Sequence, residues 1–355
     1  MITVHLYTIR MRGAALNPPN RFIPLTYAAD PDCPPEESPL PRTQFLVDHS
    51  RSIIAVNDSP DVGFTHSVNP YRGCEHGCAY CYARPYHEYL GFSAGLDFES
   101  KIMVKSDAPA LLRRELLSAK WQPTTLAFCG ITDAYQPIER TLRITRQCLD
   151  VCREFRNPVG IVTKNALVTR DVDILGDLAA IDGACVVMSV TSLDNELCGK
   201  LEPRTTRPSG RLAAIRKLRD AGIPVGVFAA PMIPGINDHE LPAILGAARD
   251  AGAQFAGYTL VRLPLAVGDV FAAWLDEHFP ERKEKVLARI RGAHAGRLND
   301  TRFKERMIGD GELAAALRTL FHVTTRKLGI DGKPPKLSTN HFRRPDETPS
   351  LFDTN

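Results

Sequence analysis

No apolar run in this 355-residue chain approaches the roughly 18 residues that a membrane-spanning helix needs. The N-terminus, MITVHLYTIRMRGAALNPPNRF, lacks the continuous apolar stretch of a secretory leader and soon meets Asn-Pro-Pro-Asn. Export and membrane anchoring are therefore not expected, and a cytoplasmic location is. The nine cysteines are odd in number, and a reducing cytosol disfavours structural disulfides, so a disulfide framework is not expected either. There is no internal repeat beyond a strand–helix unit, and no second cysteine-rich region.

With 44% hydrophobic and 24% charged residues, the composition is that of an ordinary globular protein long enough to bury a sizeable core. The net charge is only +3, but it is unevenly spread. Residues 281–344 carry 16 Lys/Arg against 7 Asp/Glu, and the end of the chain is acidic. Such a basic segment suits an anionic partner such as nucleic acid. The interleaved acidic residues favour the plainer alternative of solvated helix faces.

Residues 12–64 are rich in Pro, Asp and Ser, with DPDCPPEESPLP at 30–41, which excludes a helix there. They read as an extended arm over the main domain. From about residue 66, β-branched runs alternate with amphipathic stretches. Strands are predicted at Thr65–Val68, Thr125–Cys129, Val159–Thr163, Cys185–Thr191, Val225–Ala230 and Phe255–Leu260. Asp107-Ala-Pro109 opens a helix with a capping side chain. Leu212, Ile215 and Leu218 share a face of another that ends at Gly222. Asn237 and Glu240 read as a capping box before Leu241. Leu313, Leu317, Leu320 and Phe321 stand in helical register, and Cys148 and Cys152 lie on an apolar helix face as core residues.

Six strand–helix units imply an α/β fold with a parallel sheet and right-handed crossovers. Six are fewer than the eight of a closed barrel, so a partial (β/α)6 barrel is expected, with a flat doubly wound sheet as the competing architecture. The expected organisation is an N-terminal arm over 1–64, a core over 65–280, a basic helical extension over 281–344 and a flexible tail over 345–355.

The segment NPYRGCEHGCAYCYARPY, residues 69–86, places Cys74, Cys78 and Cys81 within eight residues, just beyond the first predicted core strand. Ligands bind at that edge of α/β sheets. Three thiolates can hold three corners of an iron–sulfur cubane, and no fourth cysteine lies nearby, so one iron is left open to an external ligand. Gly73 and Gly77 let the loop wrap a compact core. Zinc is a competing reading, but it normally takes two ligand pairs, and His76 sits poorly as a fourth ligand. Inert packing of three cysteines amid Glu, His, Arg and Gly is the remaining alternative.

Cx3Cx2C with Tyr80 before the last cysteine resembles the signature of the radical S-adenosylmethionine (SAM) superfamily. The wider context resembles the branch that contains spore photoproduct lyase. The matching pieces are NPYRGCEHGCAYCYAR, TDAYQPIER at 132–140, VTKN at 162–165, and LEPRT followed by AGIPVGVFAAPMIPGIND. This resemblance implies a [4Fe-4S] cluster on the three cysteines, with SAM chelating the open iron through its amino and carboxylate groups. One electron from a flavodoxin- or ferredoxin-type donor then cleaves SAM to methionine and a 5′-deoxyadenosyl radical.

By the same resemblance, Tyr80 packs on the adenine, and Thr132 and Asp133 face the SAM amino nitrogen. Asp133 alternatively caps the helix near Pro137, and Glu139 and Arg140 read as surface or helix-start residues. Lys164 and Ser189 contact the SAM carboxylate. Glu202 and Arg204 line the site or form an ion pair with each other. Ala230 and Pro231 give an apolar edge for adenine. Cys129 corresponds loosely to a hydrogen-donating cysteine of the branch. The tail Pro349-Ser-Leu-Phe352 resembles a clamp-docking peptide of DNA repair proteins. The substrate expected first is nucleic acid, in a lyase-like reaction. A peptide or small metabolite is the alternative, and a non-enzymatic zinc-stabilised binding module a remote one.

Overall fold

The structure is a computed structural model and describes residues 12–23, 42–128 and 130–345. Ten strands are present in the described chain: β1 Gln44–Val47, β2 Ile54–Val56, β3 His66–Val68, β4 Tyr71–Arg72, β5 Lys101–Val104, β6 Leu126–Phe128, β7 Val159–Thr163, β8 Ala184–Ser189, β9 Val225–Met232 and β10 Ala256–Leu260. The six core strands read from the sequence are β3 and β6–β10. Their apolar runs are continuous because both faces of a parallel sheet are covered. β6 is buried throughout, and β8 nearly so.

These strands form one seven-stranded sheet in the order β10-β9-β8-β7-β6-β3-β2. Every neighbouring pair is parallel except β2–β3. From β3 to β10 each new strand adds on the same side as its predecessor. Right-handed crossovers then carry every helix to one face, as in a βα barrel, whereas a doubly wound sheet requires the order to reverse. The sheet does not close, since its edge strands β10 and β2 do not pair with each other. The fold is thus an α/β partial barrel.

The helix Ile144–Phe155 buries Cys148, Leu149, Cys152 and Phe155, and it packs on the helix Ala108–Leu117. The long helix Gly311–Leu328 packs on Leu241–Asp250 and on β10 through Ala314, Leu317 and Thr325. Leu320 points outward, because a single stripe of that helix meets the barrel.

The described part of the N-terminal region is extended, as expected, and contributes β1 and β2. β1 pairs in parallel with β5, and β2 closes the sheet edge against β3. Two capping expectations are corrected. Asp107 stands before the helix Ala108–Leu117, but its side chain makes no capping bond. Its backbone is not in the extended conformation that aims a cap at the first turn. Asn237 and Glu240 form no capping box. The Asn237 side chain accepts from Ile233 N (2.6 Å) and donates to Thr191 O (2.6 Å). Glu240 accepts from Ser192 Oγ (2.6 Å) and Leu193 N (2.7 Å). Both side chains satisfy buried loop backbone, which tolerates no unpaired polar group.

Candidate functional site

The cysteine loop enters from β4, whose two residues pair with β5 (Tyr71 with Val104, Arg72 with Met103). Cys74 N then donates to Phe98 O (2.9 Å), and Ala79 N to Leu201 O (3.1 Å). Gly73 and Gly77 have φ of +78° and +67°. A Cβ on Gly77 would fall 2.6 Å from Glu99 Oε2, and one on Gly73 2.9 Å from Phe98 O. Only glycine meets both demands. Cys74 and Cys78 are buried and Cys81 is partly exposed. Burial, then the nearby Glu202 charge, pushes the Cys78 thiol up, while Lys164 acts to lower it.

Buried Arg84 braces this loop by donating to Cys78 O through Nε (3.0 Å) and Nη2 (2.9 Å), and to Glu99 (2.7 Å). Glu99 also accepts Gly13 N (2.9 Å) and Ala14 N (2.8 Å). Gly13 and Ala14 thus lie against the loop, and residues 16–20 against the segment Glu88–Asp97 that follows it. A Cβ on Gly13 would overlap Gly77 O at 1.5 Å. None of this bracing was read from the sequence, because Glu99 at its centre meets partners 15 to 86 residues away.

At the C-terminal ends of β7, β8 and β9 the polar groups converge. Lys164 Nζ donates to Ser189 Oγ (3.0 Å) and lies 5.8 Å from the centre of the Tyr80 ring. The hydroxyls of Ser189 and Thr191 reach Ala230 O (3.1 and 2.9 Å). Ala230–Pro231 is a cis peptide, with Ala230 buried beside this edge. The Tyr80 hydroxyl bonds to Glu202 and lies 3.3 Å from Thr191 Oγ1. Glu202 is fully buried. Burial alone would raise its pKa, but Arg211 first, then Lys164 and the hydroxyls, hold it at about 2.

The second cluster lies after β6. Asp133 accepts Tyr135 N (2.9 Å), Thr163 Oγ1 (2.7 Å) and Lys164 N (2.9 Å), and sits 3.4 Å from His76 Nδ1. Burial would raise its pKa, but His76 chiefly lowers it to about 2. Thr132 Oγ1 donates to Gly73 O (2.7 Å). The Glu75 carboxylate accepts Ile138 N (2.9 Å) and Arg204 Nη2 (2.9 Å).

The ion pair that Glu202 and Arg204 were expected to share does not form. Glu202 pairs with Arg211 and Arg204 with Glu75. Of the two readings for Glu139, surface or helix start, the second holds: it starts the helix Glu139–Leu142. It is fully buried there and accepts from Tyr71 OH (2.5 Å), Arg170 Nη2 (2.8 Å) and Thr145 N (3.0 Å). Arg140 is exposed. Cys129 and the Pro349–Phe352 tail lie outside the described residues.

Residues 68–248, half of the chain, match the family model of the Radical SAM superfamily. The chain belongs to the radical SAM superfamily. Its relatives include an uncharacterized protein of Mycobacterium tuberculosis, 36% identical over 234 residues that cover 64% of this chain and 68% of the relative. Another, from Methanocaldococcus jannaschii, is 28% identical over 65% of this chain and 83% of the relative. Among solved structures, spore photoproduct lyase complexed with dinucleoside spore photoproduct aligns with a TM-score of 0.57 at 17% identity, covering 80% of this chain and 79% of that one. At that identity the likeness is one of fold. A variant of the same lyase with bound AdoMet aligns at a TM-score of 0.55, with 17% identity over 80% of this chain and 78% of that one.

This chain is therefore a radical SAM enzyme, and membership implies an iron–sulfur cluster, SAM and a source of electrons. Among the described residues, no helix is long and apolar enough to cross a membrane. No three His, Cys, Asp or Glu side chains among them converge as one metal ion needs. Three cysteines on one glycine-shaped loop at the strand ends are a sulfur donor set that fits an iron–sulfur cluster. The main residues that motif reading missed are Glu75, Glu99 and Arg211. The one signal available for them was a charged side chain inside an otherwise apolar or small-residue context.

Proposed function

We propose that Cys74, Cys78 and Cys81 hold a [4Fe-4S] cluster, that SAM lies along the ends of β7–β9, and that the enzyme acts on nucleic acid in a lyase-like reaction. When bound and reduced, the cluster and SAM supply homolytic cleavage of SAM to a 5′-deoxyadenosyl radical. The chain supplies position and charge.

Lys164 gives the cation for the SAM carboxylate, held by Ser189 beside the Tyr80 ring. Tyr80, with its hydroxyl tied to Glu202 and Thr191, offers a fixed aromatic surface for the adenine, and Ala230 and Pro231 an apolar edge. Asp133, Thr132, Glu202 and Arg204 have their polar atoms committed to the fold. Their role in this reading is to hold the loop and the strand ends in place. Cys74 and Cys78 are buried and Cys81 is partly exposed, so the loop would keep water from most of the sulfur that would hold the cluster.

The observation that carries this reading is the cysteine loop seated at the C-terminal edge of a singly wound parallel sheet, beside Lys164 and Tyr80. Anaerobic reconstitution is expected to give a brown protein with about four iron and four sulfide per chain. Dithionite reduction with SAM is expected to release 5′-deoxyadenosine from the wild type and not from Cys74→Ala. Equal product from that variant would overturn the assignment.

Nucleic acid is favoured as substrate by the basic extension. Arg291, Arg326, Lys327 and Lys333 are exposed and have no ion-pair partner among the described residues. Phosphate contacts predict an affinity for DNA or RNA that falls steeply with salt. A protein with no salt-sensitive affinity for either would point to a peptide or metabolite instead.

A further inference from the structure

A cavity of about 220 Å³ opens beside the cysteine loop, one residue before Cys74. Its floor is the bare backbone of Gly73 and the edge of His87. A Cβ on Gly73 would stand 3.1 Å from His87 Cε1, so a side chain there would fill the cavity. Phe98 and Ile131 line it further, and Arg72, Tyr86 and Tyr89 border it.

Two features mark it as built for a ligand. First, His87 is 1% exposed, and its Nε2 has no hydrogen-bond partner. Burial, against the weaker pull of Asp97 and of backbone groups at Lys101 and Asp97, lowers its pKa to about 4, so the ring is neutral at physiological pH. As a buried ring nitrogen without a partner, Nε2 costs free energy until it meets a hydrogen-bonding group. Second, Tyr86 and Tyr89 are 52% and 68% exposed, unusual for aromatics at a cavity mouth. Phe22 extends this surface by packing on Tyr89 at 4.9 Å between ring centres. Arg21 lies 5.0 Å over Phe22.

We propose that this cavity is a subsite for one unpaired nucleobase of the substrate strand. The proposal rests on the nucleic-acid reading above. A base brings a flat ring for the tyrosines and several ring and amino groups that can bond to His87 Nε2. Arg72 and Arg21 at the rim are paired with Asp48 (2.8 Å) and Glu88 (2.8 Å). Stacking on exposed aromatics is how proteins grip single-stranded bases. A peptide aromatic side chain would fill the same volume, but only Trp, Tyr or His would bring a hydrogen-bonding group, whereas every nucleobase brings several.

The test is fluorescence anisotropy of a labelled single-stranded oligodeoxynucleotide, intact or with one abasic position moved along it. It uses the reconstituted wild type and Tyr86→Ala/Tyr89→Ala, whose replaced side chains are exposed. The double variant is expected to bind the intact strand about 10-fold more weakly with an unchanged salt slope. At one position the abasic strand is expected to weaken the wild type to the level of the variant and to leave the variant unaffected. Binding by the wild type that is insensitive both to the tyrosines and to every abasic position would overturn the subsite while leaving the nucleic-acid reading intact. No binding by the wild type at any salt would sink that reading itself. Insensitivity to every abasic position together with displacement by a tyrosine-rich peptide would assign the cavity to a peptide.

Discussion

The Glu202 carboxylate and the Arg211 guanidinium form an ion pair that is wholly out of solvent, and the Tyr80 hydroxyl hydrogen-bonds to the same carboxylate. A single buried pair thus ties the helix Pro208–Asp220 to the cysteine loop. Removing one partner of such a pair strands a charge and costs about 3–5 kcal/mol. Arg211→Met is expected to lose that much in urea unfolding, and Glu202→Gln/Arg211→Met distinctly less. A single variant as stable as the wild type would contradict the pairing.

Gly77 and Gly246 give opposite expectations for the same substitution. At Gly77 an added methyl meets the Glu99 carboxylate, which is locked by Arg84 and by Gly13 and Ala14. Gly77→Ala is therefore expected to lower iron and sulfide content after reconstitution several-fold. Gly246 lies inside the helix Leu241–Asp250 with nothing within 4 Å of the would-be Cβ. Gly246→Ala is expected to raise stability by about 0.5–1 kcal/mol, read by thermal unfolding.

His87 makes stability depend on pH. Its folded pKa of about 4 lies below the ordinary value of 6.5. Between those values the unfolded chain binds more protons, so stability is full above about pH 6.5 and falls as pH drops towards 4. Between pH 7.5 and pH 5 this group accounts for a loss of about 2 kcal/mol. Urea unfolding of the wild type is expected to fall by that much more than unfolding of His87→Phe over the same interval. Parallel curves would contradict the depressed pKa.

Glu139 and Arg140 are neighbours in sequence and opposites in the fold. Glu139→Ala leaves the buried Tyr71 hydroxyl and the Thr145 amide without their acceptor and removes one of the two carboxylates of Arg170, and is expected to cost about 3 kcal/mol. Arg140→Ala on the surface is expected to stay within about 0.5 kcal/mol. Chemical denaturation of the two variants side by side decides it.

Lys164→Met tests the SAM contact. Loss of one charge-assisted contact is expected to raise the KM for SAM about 10-fold in the 5′-deoxyadenosine assay, with iron content unchanged. An unchanged KM would remove Lys164 from the site.

Six of the seven strands of the sheet were legible, β7 to β10 most clearly, as continuous β-branched or apolar runs bounded by Gly, Pro and polar turns, a local property. The cysteine loop was legible for the same reason, since its three sulfurs lie within eight residues. β1, β2, β4 and β5 were not. They are short, and their pairing joins residues up to 57 positions apart (Gln44 with Lys101), so no periodicity announces it. The pairing of Glu202 was misread towards Arg204, because proximity along the chain is a poor guide to which guanidinium a fold turns inward.

By itself the sequence determined the order of strand and helix, the donor atoms at Cys74, Cys78 and Cys81, and the bends at Gly73 and Gly77. These follow from residue type and from spacings shorter than one turn of chain. The tertiary structure alone decided that the strands wind singly rather than doubly, that Gly13 and Ala14 lie against the loop, and that Arg211 rather than Arg204 answers Glu202. These depend on burial. A charge or a bare backbone becomes decisive only once water is excluded and distant partners are brought within hydrogen-bond reach.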